Sequence, residues 1–317
     1  MAPSRGERAS AAPTSPWIAL LMLWLAGCMD ACRFDRAFLI CRRSGVVRKK
    51  TGQCFLNGLL VLGSVLVLQK AIIPALSWLL DFEAHVDDGS ARPVPKLQSF
   101  LIALYYVLWL YPIYVISFVI NCIHSNEIAQ HVFHEVKKTM NEPTSRPSTG
   151  TSSTAAAFDR SSFTRGIGEN LYSVIVIGAF FAEAFVASFI PYVGQLLYFV
   201  LLSWLYAYYC FEYKWGLAQW SLERRLVFFE TNWAFFSGFG SPCVLATFFF
   251  SPLVSTGVTA ILYPLFVLIA TASDPEKSIA RVKRDSSLFP RLPIFYLANS
   301  CSLPIVRFFV SRFPATR

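Results

Sequence analysis

Two long apolar stretches constrain this 317-residue chain more than any other feature. Residues 54–80 are apolar apart from Asn57, Gln69 and Lys70, and residues 97–123 contain no charged residue. A helix needs about 20 consecutive apolar residues to cross the hydrocarbon core of a bilayer. Both stretches are therefore predicted to be transmembrane helices, and the chain is predicted to be an all-α integral membrane protein.

The composition agrees with a chain solvated by lipid. It is 55% hydrophobic and only 15% charged, whereas soluble domains contain about 25% charged residues. The sequence contains no nucleophile elbow, phosphate-binding glycine loop or zinc-hydrolase helix motif. We therefore expect neither an enzyme nor a cofactor, and the net charge of +9 does not imply nucleic acid, because cytosolic flanks of membrane helices collect Lys and Arg.

Two further apolar regions each contain a turn signal near the middle. Residues 171–211 are interrupted around Pro191, and residues 235–271 are interrupted around Pro252, then again at Gly257 and Pro264. Each region is predicted to be a helical hairpin. The hairpins either span the membrane with a tight turn or enter it and turn back, since non-helical backbone at that depth is tolerated only when protein buries it.

The distribution of charge predicts the topology. The segment before Cys54 has nine basic residues against three acids, and the tail after Thr271 has eight against three. The loop 81–96 has four acids against two bases. Cytosolic loops carry the excess of Lys and Arg, so we expect both termini in the cytosol.

The remaining segments are predicted from composition and periodicity. We expect a disordered N-terminus (1–16), a membrane domain (51–290) and a cytosolic tail (291–317). Residues 139–165 are rich in Ser and Thr and predict a disordered cytosolic linker, which is either a phosphorylated binding segment for cytosolic proteins or a plain connector.

The segment 17–50 is predicted to be one amphipathic helix on the cytosolic leaflet. Apolar residues recur at helical spacing, and polar residues occupy the other faces. The apolar positions are Trp24, Cys28, Ala31, Phe34, Phe38 and Cys41, and the polar ones are Asp30, Arg33 and Arg36. Its basic residues predict binding to anionic lipids of that leaflet.

Two ionisable residues lie deepest in the predicted hydrocarbon, Lys70 and Glu183. Each would cost about 2.5–3.5 kcal/mol at the bilayer centre on insertion scales. Either they pair or line a polar crevice, or Lys70 extends to the interface and Glu183 lies in a shallow, hydrated hairpin.

Charged residues also follow the second span and connect the hairpins. A stripe of His and Glu on one helical face either binds a metal or is solvated; it comprises His124, Glu127, His131, His134 and Glu135. In the elbow 212–240, Glu212, Glu223 and Glu230 are expected to form ion pairs with Lys214, Arg224 or Arg225.

Several short motifs carry a family resemblance. They are Cys210–Trp215, Leu222–Arg225, Glu230–Trp233, Gly238–Pro242 and Tyr263–Phe266, with Leu25–Gly27, Thr51–Gly58 and Trp109–Pro112 upstream. In this order they resemble the etoposide-induced protein family of the endoplasmic reticulum, with plant-type features upstream. The resemblance implies a multi-pass membrane protein of the endoplasmic reticulum that supports autophagy and, in animal relatives, stress-induced growth arrest and cell death.

That family is remotely similar to the bacterial sulfate permeases. The similarity implies two long spans plus two partly inserted hairpins. The candidate hairpin motif comprises Pro191, Gly194, Gln195, Glu212, Gly240, Pro242 and Pro264. The nearest counterpart of the permeases' glycine and paired arginines is Gly45 with Arg48 and Lys49, although Lys does not replace Arg freely at an oxyanion site.

The leading hypothesis is a protein that shapes or tethers membrane, with two hairpins as wedges in the cytosolic leaflet and the possibility of homo-oligomers. The alternative is a permease or channel for sulfate or another anion.

Overall fold

The computed structural model describes residues 16–75, 78, 100, 103–104, 107, 111–141, 175–283, 290–300 and 302, and this part of the chain contains helices and turns but no strand. The fold is all-α, as predicted. The helices are α1 (Pro16–Ala31), α2 (Phe34–Arg43), α3 (Gly45–Val67), α4 (Tyr111–Asn141), α5 (Ile175–Ala187), α6 (Gly194–Leu217), α7 (Leu222–Thr231), α8 (Trp233–Phe248), α9 (Pro252–Ala272) and α10 (Pro275–Lys283).

The predicted single helix over 17–50 is wrong, because the segment divides into α1, α2 and the first turn of α3. The only charged residue of α1, Asp30, is buried rather than on an outer face. The amphipathic character belongs to α2, where Ala37 is buried and Phe34 and Phe38 are exposed. Ser44 separates α2 from α3, and its hydroxyl accepts a hydrogen bond from the Val47 amide at 3.4 Å, which caps α3.

The helix that includes the first predicted span changes geometry before its proline. α3 is followed by a π-helical turn at Leu68–Ile72 and then by helical residues 73–75. Pro74 has no amide proton and its ring crowds the preceding turn, so the wider turn is what we expect just upstream. The second predicted span ends at residue 123, but its helix, α4, continues as far as Asn141. It therefore includes the first residues assigned to the 139–165 linker.

Both predicted hairpins have a helix–turn–helix backbone in the described residues. In the first, α5 and α6 are joined by the turn at 188–193. In the second, α8 and α9 are joined by residues 249–251. The predicted interruptions at Gly257 and Pro264 are wrong, since α9 passes through both without a break, just as α8 passes through Pro242.

The chain divides into two compact units. Among described residues, unit 1 contains α1, α5, α6, α7, most of α8, α10 and residues 290–300, and unit 2 contains α2, α3, α4, the end of α8 and α9.

Unit 2 is a bundle in which α3, α4 and α9 contact one another. Small residues let α3 and α9 approach closely. A Cβ on Gly58 would lie 2.6 Å from Ile261 Cγ1 and 2.9 Å from the Ile261 amide nitrogen, and one on Gly257 would lie 3.0 Å from Leu62 Cδ1. Packing of this kind is how membrane helices associate where apolar burial supplies little driving force.

Unit 1 is built around a cluster of aromatic rings. Phe236 is fully buried, with its ring centroid 4.4 Å from that of Phe229 and 5.3 Å from that of Phe211. Edge-to-face and offset pairs are favourable beyond the area they bury. Further rings in the cluster are Phe180, Tyr208, Trp215, Phe228 and Phe295.

Candidate functional site

A polar contact in unit 2 joins three helices. Asn57 on α3 donates from Nδ2 to Asn121 Oδ1 at 3.1 Å and to Ser117 Oγ at 2.9 Å, both on α4. Asn121 in turn donates to the Ala260 carbonyl of α9 at 3.2 Å. Asn121 and Ser117 are buried, so this amide network fixes the lateral register of the bundle. Of these residues, the sequence analysis noted Asn57. It missed Ser117 and Asn121, whose spacing of four places two polar side chains on one face of an otherwise apolar stretch of α4.

The His and Glu stripe on α4 is joined to α3 by a lysine. Lys50 Nζ lies 2.6 Å from Glu127 Oε2, and His124 Nδ1 lies 3.5 Å from the same oxygen. The hydrogen bond from Lys50 is the main cause that lowers the pKa of the Glu127 carboxyl. No group of three His, Cys, Asp or Glu side chains within the described ranges has the geometry to hold a metal ion.

The residues of the predicted anion contact lie on the surface of unit 2. Gly45, Arg48 and Lys49 occupy the first turn of α3 and are exposed. A Cβ added to Gly45 would meet no atom within 4 Å, so this glycine does not serve a close backbone approach.

Lys70 and Glu183 belong to different units. Lys70 is exposed in the π-helical turn of unit 2. Glu183 on α5 in unit 1 is half-buried, and its Oε2 has no hydrogen-bond partner among the residues described. Pairing of the two residues was one of the alternatives left open, and it stays untested.

Ion pairs stabilise the elbow between the hairpins, and one of those seen in the described residues was expected. Arg225 lies 4.0 Å from Glu212, as predicted. Lys214 instead donates to the Ser273 carbonyl and lies 3.7 Å from Asp274.

The aromatic and buried carboxylate contacts of the elbow also differ from expectation. Arg224 stacks over the Trp220 ring at 4.1 Å, a cation–π contact. Glu230 pairs with Arg291, since Arg291 Nη2 lies 2.5 Å from Glu230 Oε2.

Polar contacts tie further elements of unit 1 together. Asp30 on α1 accepts a hydrogen bond from Ser278 on α10 at 2.7 Å. Lys283 donates to Asn232 Oδ1 at 2.8 Å, and Asn232 donates to the Phe228 carbonyl at 2.8 Å. Asn232 therefore links the break between α7 and α8 to the end of α10.

Two glycines of the predicted hairpin motif lie where the backbone packs closely. Gly194 begins α6, and a Cβ there would lie 2.8 Å from the Ser188 carbonyl oxygen, so the turn excludes a side chain. A Cβ on Gly240 would overlap the Ser203 carbonyl oxygen. Pro191 and Gln195 are exposed at the turn, whereas Pro264 is buried within α9.

The turns of both hairpins expose large apolar side chains. Around the first turn Phe189 is 71% exposed and Ile190 is 49% exposed, and Tyr192, with φ of 66°, is fully exposed. At the second turn Phe249 is 79% exposed and Phe250 is 51% exposed. Contiguous exposed apolar groups mark a surface that meets lipid or protein rather than water.

Three described helical segments are long and apolar enough to cross a membrane, namely Pro16–Arg43, Gly45–Ala75 and Gly194–Leu217. A fourth is added if the bent pair Gly257–Ala272 and Pro275–Lys283 counts as one span. Together with the all-helical fold, these segments define an integral membrane protein of the α-helical class.

The family follows from comparison with known proteins. Residues 33–271 match the family model described as sulfate transporter CysZ/etoposide-induced protein 2.4. The chain is 42% identical to "Protein EI24 homolog" of Arabidopsis thaliana over 306 residues, covering 90% of this chain and 93% of that protein. The chain therefore belongs to the EI24/CysZ family, as the sequence motifs indicated.

More distant relatives agree. "Protein EI24 homolog" of Dictyostelium discoideum is 31% identical over 291 residues, covering 91% of this chain and 85% of that protein. "Ectopic P granules protein 4" of Caenorhabditis elegans is 32% identical over 80 residues, covering 25% of each chain. No solved structure matches the chain.

Proposed function

We propose that this protein is a multi-pass protein of the endoplasmic reticulum membrane that supports autophagy and the stress response by shaping or tethering membrane. In this proposal the hairpins α5–α6 and α8–α9 insert from the cytosolic leaflet and turn back within it. The chain has no catalytic role, and its ligand is the bilayer itself.

The observation that carries this proposal is the apolar character of both hairpin turns. A turn that crosses the bilayer and emerges in water would bear polar side chains, whereas Phe189, Ile190, Phe249 and Phe250 are exposed at these turns. Within the hydrocarbon these side chains are solvated favourably. In the second hairpin, the length of α8 also supports insertion without crossing, since its 16 residues extend about 24 Å at 1.5 Å per residue against a hydrocarbon core of about 30 Å. In the first hairpin α6 is long enough to cross, so there the proposal rests on the apolar turn.

The helix α2 provides a second contact with the same leaflet. It carries Arg36, Arg42 and Arg43 beside the exposed Phe34 and Phe38. Basic residues near an anionic surface contribute about 1 kcal/mol each, and exposed aromatic rings insert at the headgroup boundary. We therefore propose anionic lipids of the cytosolic leaflet as partners of α2.

Site-directed thiol labelling in sealed microsomes tests the hairpin insertion. Tyr192→Cys and Phe249→Cys should resist a membrane-impermeant maleimide from either side and react with a lipid-soluble one. Arg281→Cys on α10, which is exposed, is the matched control and should react from the cytosolic side. The unsubstituted chain, with its eight cysteines, sets the background. Reaction of residue 192 or 249 with the impermeant reagent from the lumen would rule out the insertion.

The biological role is tested separately. Cells that lack this protein should show reduced autophagic flux, and the wild-type chain should restore it. A chain with Phe189→Asp and Phe249→Asp should fail to restore flux because a charge at each turn opposes insertion. Normal flux without the protein would contradict the role in autophagy.

Excision of residues 139–165 with an unchanged set of bound proteins would exclude the linker as their binding segment.

An anion permease is the second candidate, favoured by the amides of half-buried Asn57 and buried Asn121 between three helices and by the transporter named in the family model. Purified protein in liposomes should then admit labelled sulfate, and Asn121→Leu should reduce the rate. Liposomes that admit none across a range of pH would exclude this candidate.

A further inference from the structure

A segment near the C-terminus of the described chain docks into unit 1 through one buried carboxylate. We define the docking segment as residues 290–300, and the Glu230 cradle as Glu230 with Phe180, Tyr208 and Phe229. Glu230 is only 3% exposed, and both of its carboxylate oxygens contact the docking segment.

The polar contacts recognise a basic side chain and the backbone that follows it. Arg291 donates from Nε to Glu230 Oε2 at 2.7 Å. The Phe295 amide donates to Glu230 Oε1 at 3.1 Å, and the Leu292 amide donates to the Glu230 carbonyl at 3.3 Å. Charge-assisted hydrogen bonds of this kind are about twice as strong as neutral ones.

The apolar contact places one ring in an aromatic cage. Phe295 is 2% exposed, and its ring centroid lies 5.1 Å from that of Phe180, 5.3 Å from that of Tyr208 and 5.5 Å from that of Phe229. A single buried aromatic anchor beside a paired arginine is the usual composition of a binding hot spot.

The docking segment has one buried side and one exposed side. Ile294 and Ala298 are buried beside Phe295, whereas Leu292, Tyr296 and Leu297 are exposed and the Arg291 side chain is 52% exposed. Its anchors are therefore the paired arginine, the caged phenylalanine four positions later and the small apolar contacts next to it. Amphipathic segments bind grooves through a few such anchors.

We propose that the Glu230 cradle is a peptide-binding site for segments with arginine four residues before phenylalanine, and that the chain's own docking segment occupies it. Release of the segment exposes an anionic, aromatic site to a cytosolic protein segment of the same chemistry. Docking of the chain's own segment therefore competes with binding of a segment from another protein. This proposal does not depend on how the hairpins insert.

Binding in trans tests the site directly. The probe is a fluorescent peptide of residues 290–300, added to the full chain in nanodiscs and followed by fluorescence anisotropy. Arg291→Glu with Phe295→Ala in the protein vacates the cradle, so this double variant should bind the peptide at least about tenfold more tightly than the wild type. The peptide with Phe295→Ala should not bind. Equal binding by wild type and double variant, or no binding by a double variant that keeps the wild-type melting temperature, would overturn the proposal.

A second measurement uses the docked state itself. Trypsin should cleave the Arg291–Leu292 bond slowly in the wild type, because Glu230 holds the Arg291 side chain and the Leu292 amide is hydrogen-bonded. Glu230→Gln should accelerate this cleavage about tenfold or more through loss of a charged hydrogen bond.

The controls for proteolysis separate release from unfolding. Glu223→Gln, a change of an exposed glutamate on the same helix, should leave cleavage after Arg291 unchanged. Cleavage after Arg281 should keep its wild-type rate in both variants, which shows that unit 1 stays folded. An unchanged rate after Arg291 in Glu230→Gln would count against the proposal, as would an equal acceleration by Glu223→Gln.

Discussion

Each of the two units is stabilised internally by a different kind of contact. Unit 1 combines a cluster of aromatic rings with buried charges, of which Glu230 and Asp30 are examples. Unit 2 has a close crossing of α3 and α9 at Gly58 and Gly257, and one amide network around Asn121. Glycines allow helices to approach closely in both units, since Gly240 meets the Ser203 carbonyl in unit 1 as Gly58 meets Ile261 in unit 2. The difference therefore lies in the buried charges and the ring cluster, and it teaches that two units of one chain can share close helix packing and still rely on different side-chain contacts.

Removal of a ring from unit 1 should give the largest effect. Phe236→Ala leaves a cavity beside the rings of Phe211 and Phe229, and such changes cost about 3–5 kcal/mol. The melting temperature in detergent, followed by size-exclusion chromatography, should fall sharply or the protein should fail to accumulate.

Phe181→Ala provides the control for the aromatic cluster, since Phe181 is exposed on α5 and its removal should change little. Similar melting temperatures for the two variants would show that the cluster does not stabilise unit 1. The proposed difference between the contacts of unit 1 and those of unit 2 would then lose its main support.

Close backbone approach within unit 1 should give the next effect. A Cβ at residue 240 would overlap the Ser203 carbonyl, so Gly240→Ala must displace α6 from α8, and overpacking costs about 1–3 kcal/mol or more. Gly63→Ala is the matched control, because no atom lies within 4 Å of its Cβ position, and it should match or exceed wild-type stability through higher helix propensity. An unchanged melting temperature in Gly240→Ala would contradict the packing.

The elements of the fold were predictable where a single strong signal governs them. Hydropathy alone located the helix that includes residues 54–75, and Pro191 located a turn. Failures occurred where tertiary contacts override local signals. α9 passes through Pro264, although proline removes one helical hydrogen bond, and Asp30 is buried because Ser278, 248 positions later, supplies a partner.

The candidate sites were predictable to a smaller extent. Glu230 was recognised as an ion-pairing residue, but its partner Arg291 lies 61 positions away and no spacing rule connects them. The pair Glu212 and Arg225, on neighbouring helices, was predicted correctly. Periodicity reports which face a residue occupies, and it does not report which distant residue meets that face.

The amide network should give a moderate effect confined to unit 2. Asn121→Leu removes the donor to the Ala260 carbonyl and leaves Asn57 with fewer partners. Hydrogen bonds between membrane helices contribute about 0.6–2 kcal/mol, so the melting temperature should fall by a few degrees.

A double-mutant cycle with Asn57→Leu tests whether the two amides act together. Their joint replacement should cost less than the sum of the single changes, because each single change strands the other amide. Strict additivity would show that the two side chains stabilise the bundle independently, and the network would no longer define unit 2.

The smallest effect should come from the contact between Lys50 and Glu127 in unit 2, and it should depend on pH. The Lys50 hydrogen bond lowers the pKa of Glu127 below its ordinary value of 4.5, so the unfolded chain binds this proton more readily than the folded one. The contact therefore stabilises the fold fully above that value, and the stabilisation is lost as pH falls through the lowered pKa. Lys50→Gln should flatten the decline of melting temperature below about pH 4.5 while leaving the value at pH 7 nearly unchanged. Lys49→Gln, an identical change of charge at an exposed neighbour, should keep the wild-type decline. The same decline in both variants would mean that Glu127 does not link α4 to α3 through Lys50.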